Sequence, residues 1–192
     1  MEKSSKMRDR ILEAVETLIA SQGVNNISLK MIAESCGISK GTLYYYYQSK
    51  DAIILDLIEK HIAPLKKDYL EWLDRHKDDT ISPERFLQVI LTKGVKSFNR
   101  AKTHIYLINE CAGSNPAFRK RYNELWVEWK ETIVLGLKQV FPKLINTETD
   151  AYLIMLIIDG LVVQEVLESK DDYKDRIVKL ISGVYRNENK NI

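Results

Sequence analysis

An all-α fold is predicted by three features of the sequence. Apolar residues recur at helical spacing along almost the whole chain, glycine and proline are few (8 and 4 of 192 residues), and no stretch reads convincingly as a strand. That length suffices for one large domain or two small ones with a buried core.

The elements follow in order. Ile11, Leu12, Val15, Leu18 and Ile19 fall at i, i+1, i+4, i+7 and i+8, one face of a first helix ending near Gly23. After the polar Asn25-Asn26, Ser28 is placed to cap a short helix through Ser35, with Ile32 and Ala33 turned inward. Gly37 supplies a turn that tolerates positive φ, and Ser39 caps a third helix carrying Leu43 and four consecutive tyrosines. A longer helix starts near Asp51, with Ile54, Leu55 and Ile58 spaced to pack. Pro64 lies inside it, removes a backbone donor and predicts a kink or break near His61–Ala63.

Ser82-Pro83 and Asn115-Pro116 each pair a capping residue with a first-turn proline and open new helices. Phe141-Pro142 closes one, and Asn146 or Thr147 caps the next. The last two helices, about 148–168 and 172–186, carry the apolar sets Leu153, Leu156, Ile157, Gly160, Val163, Leu167 and Ile177, Leu180, Ile181, Val184. Only the tail RNENKNI is expected to be disordered.

Composition narrows the function classes. The net charge is +2, and residues 1–50 hold seven basic and five acidic groups. That slight bias is compatible with phosphate contact without requiring it. Cys36 and Cys111 are far apart, with no ligand-like spacing, and are expected to be reduced thiols in a core. The N-terminus is charged and no apolar h-region follows. The most apolar run, from Tyr152, is interrupted by Asp159, Gly160, Gln164 and Glu165, so a soluble, cytoplasmic protein with no membrane partner is expected.

Two short helices joined by a glycine turn, inside a three-helix unit, form a helix-turn-helix arrangement. Small Ala33 permits a close crossing, while Ile32, Ile38 and Leu43 fill the space between the helices. The tyrosines then separate by face, because a helix turns about 100° per residue. Tyr47 shares the core face with Leu43, one turn earlier. Lys40, Gly41 and Tyr44 form another face, and Thr42 lies beside Tyr45 and Tyr46. Outward from the second helix of such a motif means into a major groove. A phenol can donate to phosphate, and its ring can lie against a thymine methyl.

The stretch IAESCGISKGTLYYYYQSKDAI resembles the DNA-binding signature of the tetracycline-repressor (TetR) family of bacterial transcription regulators. In that family a Gly-Val-Ser-like turn runs into a Gly-Thr-Leu-Tyr-x-[His/Tyr]-Phe-x-x-Lys recognition helix, and the match covers about residues 7–60. The resemblance implies a helix-turn-helix DNA-binding domain over 1–50, linked by the helix from about 51 to a helical ligand-binding and dimerisation domain over 51–192. It implies that Ser28 and Lys30 meet the DNA backbone and groove edge. Ser39, Lys40, Gly41, Thr42, Tyr44 and Tyr45 would lie at the groove, with Tyr46 and Lys50 on phosphates. Tyr47 departs from the usual Phe, so its hydroxyl needs a partner or water. The implied partners are double-stranded DNA and a second copy of the chain, joined through the last two helices.

A small-molecule effector is the third implied partner. The middle of the chain is rich in aromatics: Tyr69, Trp72, Phe86, Phe98, Tyr106, Tyr122, Trp126 and Trp129, of which most suit a core. Glu110 and Asp159 sit in apolar surroundings, where each could orient a ligand or bond structurally. Asn109 and Gln164 are weaker candidates for the same task. A lipophilic or aromatic effector is expected, and the proline-kinked helix offers a physical route from such a site to the DNA end. His61 and His104 could meet across helices, which is thin ground for a metal site. No nucleophile–base pair, metal-ligand spacing or phosphate-binding loop marks an enzyme, and no cofactor is expected. The rival reading is a helical interaction or small-molecule-binding module without DNA binding.

Overall fold

The computed structural model describes residues 2–22, 27–94, 98–113, 115–168 and 173–190, without the side chains of 2–4, 98 and 187–190. Among the described residues the regular structure is wholly helical: α1 (Glu2–Gln22), α2 (Leu29–Ser35), α3 (Lys40–Tyr46), α4 (Lys50–Arg75), α5 (Pro83–Gly94), α6 (Phe98–Ala112), α7 (Pro116–Val140), α8 (Thr147–Val166) and α9 (Lys174–Lys190). Gly23, Asn25 and Asn26, part of the expected first connection, lie outside the described residues.

Local chemistry accounts for the helix starts. The Ser28 hydroxyl accepts from the Met31 N–H at 3.3 Å, and Ser39 accepts from the Thr42 N–H at 3.0 Å. Ser82 accepts from the Arg85 N–H at 3.2 Å, and the Asn115 side-chain oxygen from the Ala117 N–H at 3.0 Å. Each satisfies one of the donors a helix N-terminus leaves open. Asn146 holds the cap position of α8 without a side-chain bond. The backbone of α9 continues into the tail expected to be disordered, as far as Lys190, while Asn191 and Ile192 lie outside the described residues.

The expected break in the fourth helix is absent: α4 runs unbroken through Pro64. Pro64 has no N–H for the Lys60 carbonyl four residues back. The adjacent His61 carbonyl accepts a bond from the Arg100 guanidinium, which supports the backbone where the ladder is weakened.

The chain forms two compact units. The first comprises residues 1–61 and 98–123, the second 62–97 and 124–192, so α4 and α7 contribute residues to both. In the first, α1 packs on α2 and α6, and α2 packs on α3. Ile11, Leu12, Val15, Leu18, Ile19, Ile32, Ala33 and Leu43 are buried there, with Ile53, Ile54, Leu57 and Ile58 from α4. Leu55 is only half-buried. In the second, α5 packs on α8 and α9. Gly94 permits a close approach of α5 to α8, since a Cβ there would stand 2.8 Å from the Ile158 side chain. Cys36 and Cys111 are both buried free thiols, and burial pushes each above its ordinary pKa.

Candidate nucleic-acid interface and ligand residues

The α2–α3 pair is built around its turn. Gly37 has φ +64°, a conformation that glycine adopts without strain, and its N–H donates to the Glu34 carbonyl at 3.0 Å. The next N–H, from Ile38, returns to the Ala33 carbonyl at 3.0 Å. Beneath the turn, the Arg10 guanidinium donates to the Cys36 carbonyl at 3.3 Å. The turn is thereby tied to α1.

The tyrosines divide as their helical angles require. Tyr47 is 3% exposed and Leu43 fully buried, whereas Tyr44 is 42% and Tyr45 81% exposed. Tyr46 is half-buried and meets the Tyr45 ring edge-on at 5.1 Å. Ser28, Lys30, Ser39, Lys40, Gly41 and Thr42 are exposed. The Lys40 ammonium lies 5.7 Å from the centre of the Tyr44 ring, and the Thr42 and Ser39 hydroxyls are 2.8 Å apart. The result is a face of hydroxyls, phenols and two lysines over an apolar underside. Such a face can donate to phosphate oxygens and base edges at once.

Lys50 is half-buried, and its Nζ lies 3.8 Å from Glu110 Oε1. Glu110, expected among the ligand residues, is thus an ion-pair partner of the α4 N-terminus. The extra hydroxyl of Tyr47 finds Asp56, donating to Oδ2 at 2.8 Å. Burial, then that hydrogen bond, raises its pKa far above the usual tyrosine range. Arg8, which sequence reasoning did not single out, reaches the same carboxylate oxygen at 3.3 Å. A tyrosine where phenylalanine is usual was the available signal for such a partner.

The remaining candidate ligand residues fall in both units. In the first, His61 Nε2 and His104 Nδ1 are 3.1 Å apart, and the Tyr122 hydroxyl is 3.3 Å from the same His104 nitrogen. His61 is 3% exposed and its pKa is well below the ordinary value, by burial first, then by Arg100 and His104. Among the described residues no group of three or more His, Cys, Asp or Glu could hold a metal ion. Tyr106 is buried on the same helix as Glu110.

In the second unit, Tyr69 lies 5.6 Å from Trp129, 6.2 Å from Phe86 and 6.4 Å from Trp72, ring centre to ring centre. All four are buried, a packed aromatic core with the Tyr69 hydroxyl lodged over Gly136. Trp126 and Asp159 are half-buried, and the side chain of Phe98 lies outside the described residues.

α8 is apolar around its whole circumference. Ile154, Met155, Ile158 and Val162 are buried, while Leu153, Leu156, Val163 and Leu167 are exposed. Gly160, on the exposed side, has open space about it. Leu180 and Val184 of α9 are exposed too. No helix of the described residues is long and apolar enough to cross a membrane.

A glycine turn between capped short helices, with a buried underside and a polar outer face, defines the class: a helix-turn-helix protein with further helices attached. Residues 11–57 match the profile described as "Bacterial regulatory proteins, tetR family". Over 51 residues the chain is 43% identical to the HTH-type transcriptional regulator UidR of Escherichia coli (strain K12), a match covering 27% of this chain and 26% of that protein. The chain therefore spans about a quarter of the length of the first curated relatives it matches. A longer match, 24% identical over 172 residues, covers 81% of this chain and 74% of the HTH-type regulator YwcC of Bacillus subtilis (strain 168). Among solved structures, a transcriptional regulator from Saccharomonospora viridis in complex with choline superposes with a TM-score of 0.72 at 22% identity, over 94% of this chain and 95% of that one. This likeness carries the fold. Over residues 11–57 the chain is thus similar to the DNA-binding region of the tetR family of bacterial regulatory proteins.

Proposed function

We propose that this protein is a cytoplasmic, ligand-responsive transcriptional regulator that binds a near-palindromic DNA site as a homodimer and represses until a small molecule releases it. Residues 1–50 serve as the DNA-binding domain, and 51–192 hold the effector and the dimer contact. No catalysis and no cofactor are assigned.

One observation carries the DNA reading: Thr42, Tyr44 and Tyr45 are exposed on α3 while Leu43 and Tyr47 are buried beneath them. A packed αα-hairpin has no need of an outer face so rich in hydroxyls and phenols. Ser39, Lys40 and Gly41 lie beside them at the groove, with Ser28 and Lys30 at the backbone and groove edge and Tyr46 and Lys50 on phosphates. Thr42→Ala and Tyr44→Ala should each lose about 1–3 kcal/mol of affinity for the bound duplex. Wild-type affinity in both variants would sink this assignment.

The dimer reading is supported by the second apolar face of α8. A helix apolar all round is ordinarily buried all round. In a single chain Leu153, Leu156, Val163 and Leu167 meet solvent. Pairing α8 and α9 with those of a second copy buries them, and Gly160 admits a close crossing.

The effector class proposed is lipophilic or aromatic, although Tyr69, Trp72, Phe86 and Trp129 pack on one another as core and Trp126 alone of the five is half-buried. The choline bound by the Saccharomonospora viridis regulator makes quaternary amines a first set to try. Release follows from differential affinity for two conformations, whatever the ligand.

A further inference from the structure

We propose that Glu110 is a positioning residue for DNA engagement, whose carboxylate holds the Lys50 ammonium so that this ion pair and a Lys50–phosphate contact oppose one another. The proposal rests on the DNA-binding reading above and adds to it a residue of α6 that sets the affinity.

Lys50 opens α4, four residues beyond the last residue of α3. Its Nζ is 3.8 Å from Glu110 Oε1, with the two side chains 37% and 22% exposed. The next residue of α4 is tied to the same region: Asn115 Nδ2 donates to Asp51 Oδ2 at 2.9 Å. The first two residues of α4 therefore both bond to the stretch 110–115, where α6 ends and α7 begins. α6 itself packs along α1.

Charge makes the pair antagonistic to DNA. A phosphate brought to Lys50 is also brought to Glu110, and the like charges repel. Lys50 must leave the carboxylate, or its phosphate contact is weakened. The Tyr106 phenol, one turn earlier on α6, is fully buried, and its pKa is raised far above the ordinary value by burial first and then by Glu110. The carboxylate thus lies beside the lysine that follows the recognition helix. A shift of the α6 C-terminus would move it relative to Lys50 and change the DNA affinity.

The test is a double-mutant cycle read by fluorescence anisotropy, on the duplex that wild-type protein enriches from a random pool. Glu110→Gln should bind about two- to fivefold more tightly than wild type at low salt, the range expected for releasing a partly exposed ion pair. Lys50→Gln should bind more weakly, and the double variant should match Lys50→Gln. No tightening by Glu110→Gln when Lys50 is present overturns the proposal. So does equal tightening in both backgrounds, which would reflect only the removed charge. Glu110→Asp, one methylene shorter, should tighten in the same direction and serves if Glu110→Gln melts early. If wild-type protein binds no duplex, the DNA-binding reading itself fails and takes this proposal with it.

Discussion

The Tyr47 hydroxyl donates to Asp56 Oδ2 at 2.8 Å, and Arg8 meets the same oxygen at 3.3 Å with its guanidinium 5.1 Å from the centre of the Tyr47 ring. One carboxylate on α4 thereby joins α1 to the residue that caps α3. Tyr47→Phe should keep the packing and the Arg8 bond while costing about 0.5–1.5 kcal/mol in urea unfolding. The folded-state pKa lies above the unfolded one, so this contribution is complete below about pH 10 and is lost as pH rises further. Tyr47→Phe should therefore lose less stability than wild type between pH 9 and about 11. An unchanged alkaline profile would remove Asp56 from this role.

His61 makes the opposite prediction at acid pH. Its folded pKa lies below the ordinary value, so the unfolded chain binds the proton more readily. Stability from the neutral ring is complete above about pH 6.5 and falls below it, by at most about 1.4 kcal/mol per pH unit. Arg100 and His104 act on the ring, and neither offers a negative charge to hold the imidazolium. Unfolding curves at pH 7.5 and 5.5 should differ less for His61→Gln than for wild type. Equal differences would mean that other groups carry the acid sensitivity.

Gly136 is required by a neighbour rather than by its own backbone. A methyl group there would collide with the Tyr69 hydroxyl. Gly136→Ala should destabilise by about 1–3 kcal/mol, as overpacked cores do. Tyr69→Phe removes the oxygen and should recover part of that loss in the double variant. Full additivity of the two changes in a thermal melt would refute the contact.

The exposed face of α8 gives a test in solution. Leu156→Glu places a charge where 48% of the leucine is open to solvent in the single chain. Sedimentation should show a dimer for wild type and a monomer for the variant, with helical circular dichroism retained. A variant that remains dimeric would move the interface elsewhere.

The helix-turn-helix was legible because its determinants are local. Ser28 and Ser39 cap within three residues, Gly37 turns the chain, and helical angle alone sends Tyr47 inward and Tyr45 outward. Of the kink or break that Pro64 suggested, the break is absent, and a support for α4 comes from afar, from Arg100 on the His61 carbonyl, 39 residues along the chain. The Lys50–Glu110 pair is equally non-local: each residue suggested a different role, and only folding brings them together. The aromatic residues announced a cluster but not its kind. Tyr69, Trp72, Phe86 and Trp129 pack on one another, which composition does not distinguish from lining a cavity.

Sequence-specific binding of duplex DNA by a symmetric dimer is open to direct measurement. Purified protein should be allowed to select duplexes from a random pool at low salt, and the enriched pool sequenced. An inverted repeat with half-sites about one helical turn apart is expected, lost when Tyr44→Ala replaces wild type. A folded, dimeric protein that enriches no sequence would contradict it and favour a helical interaction module.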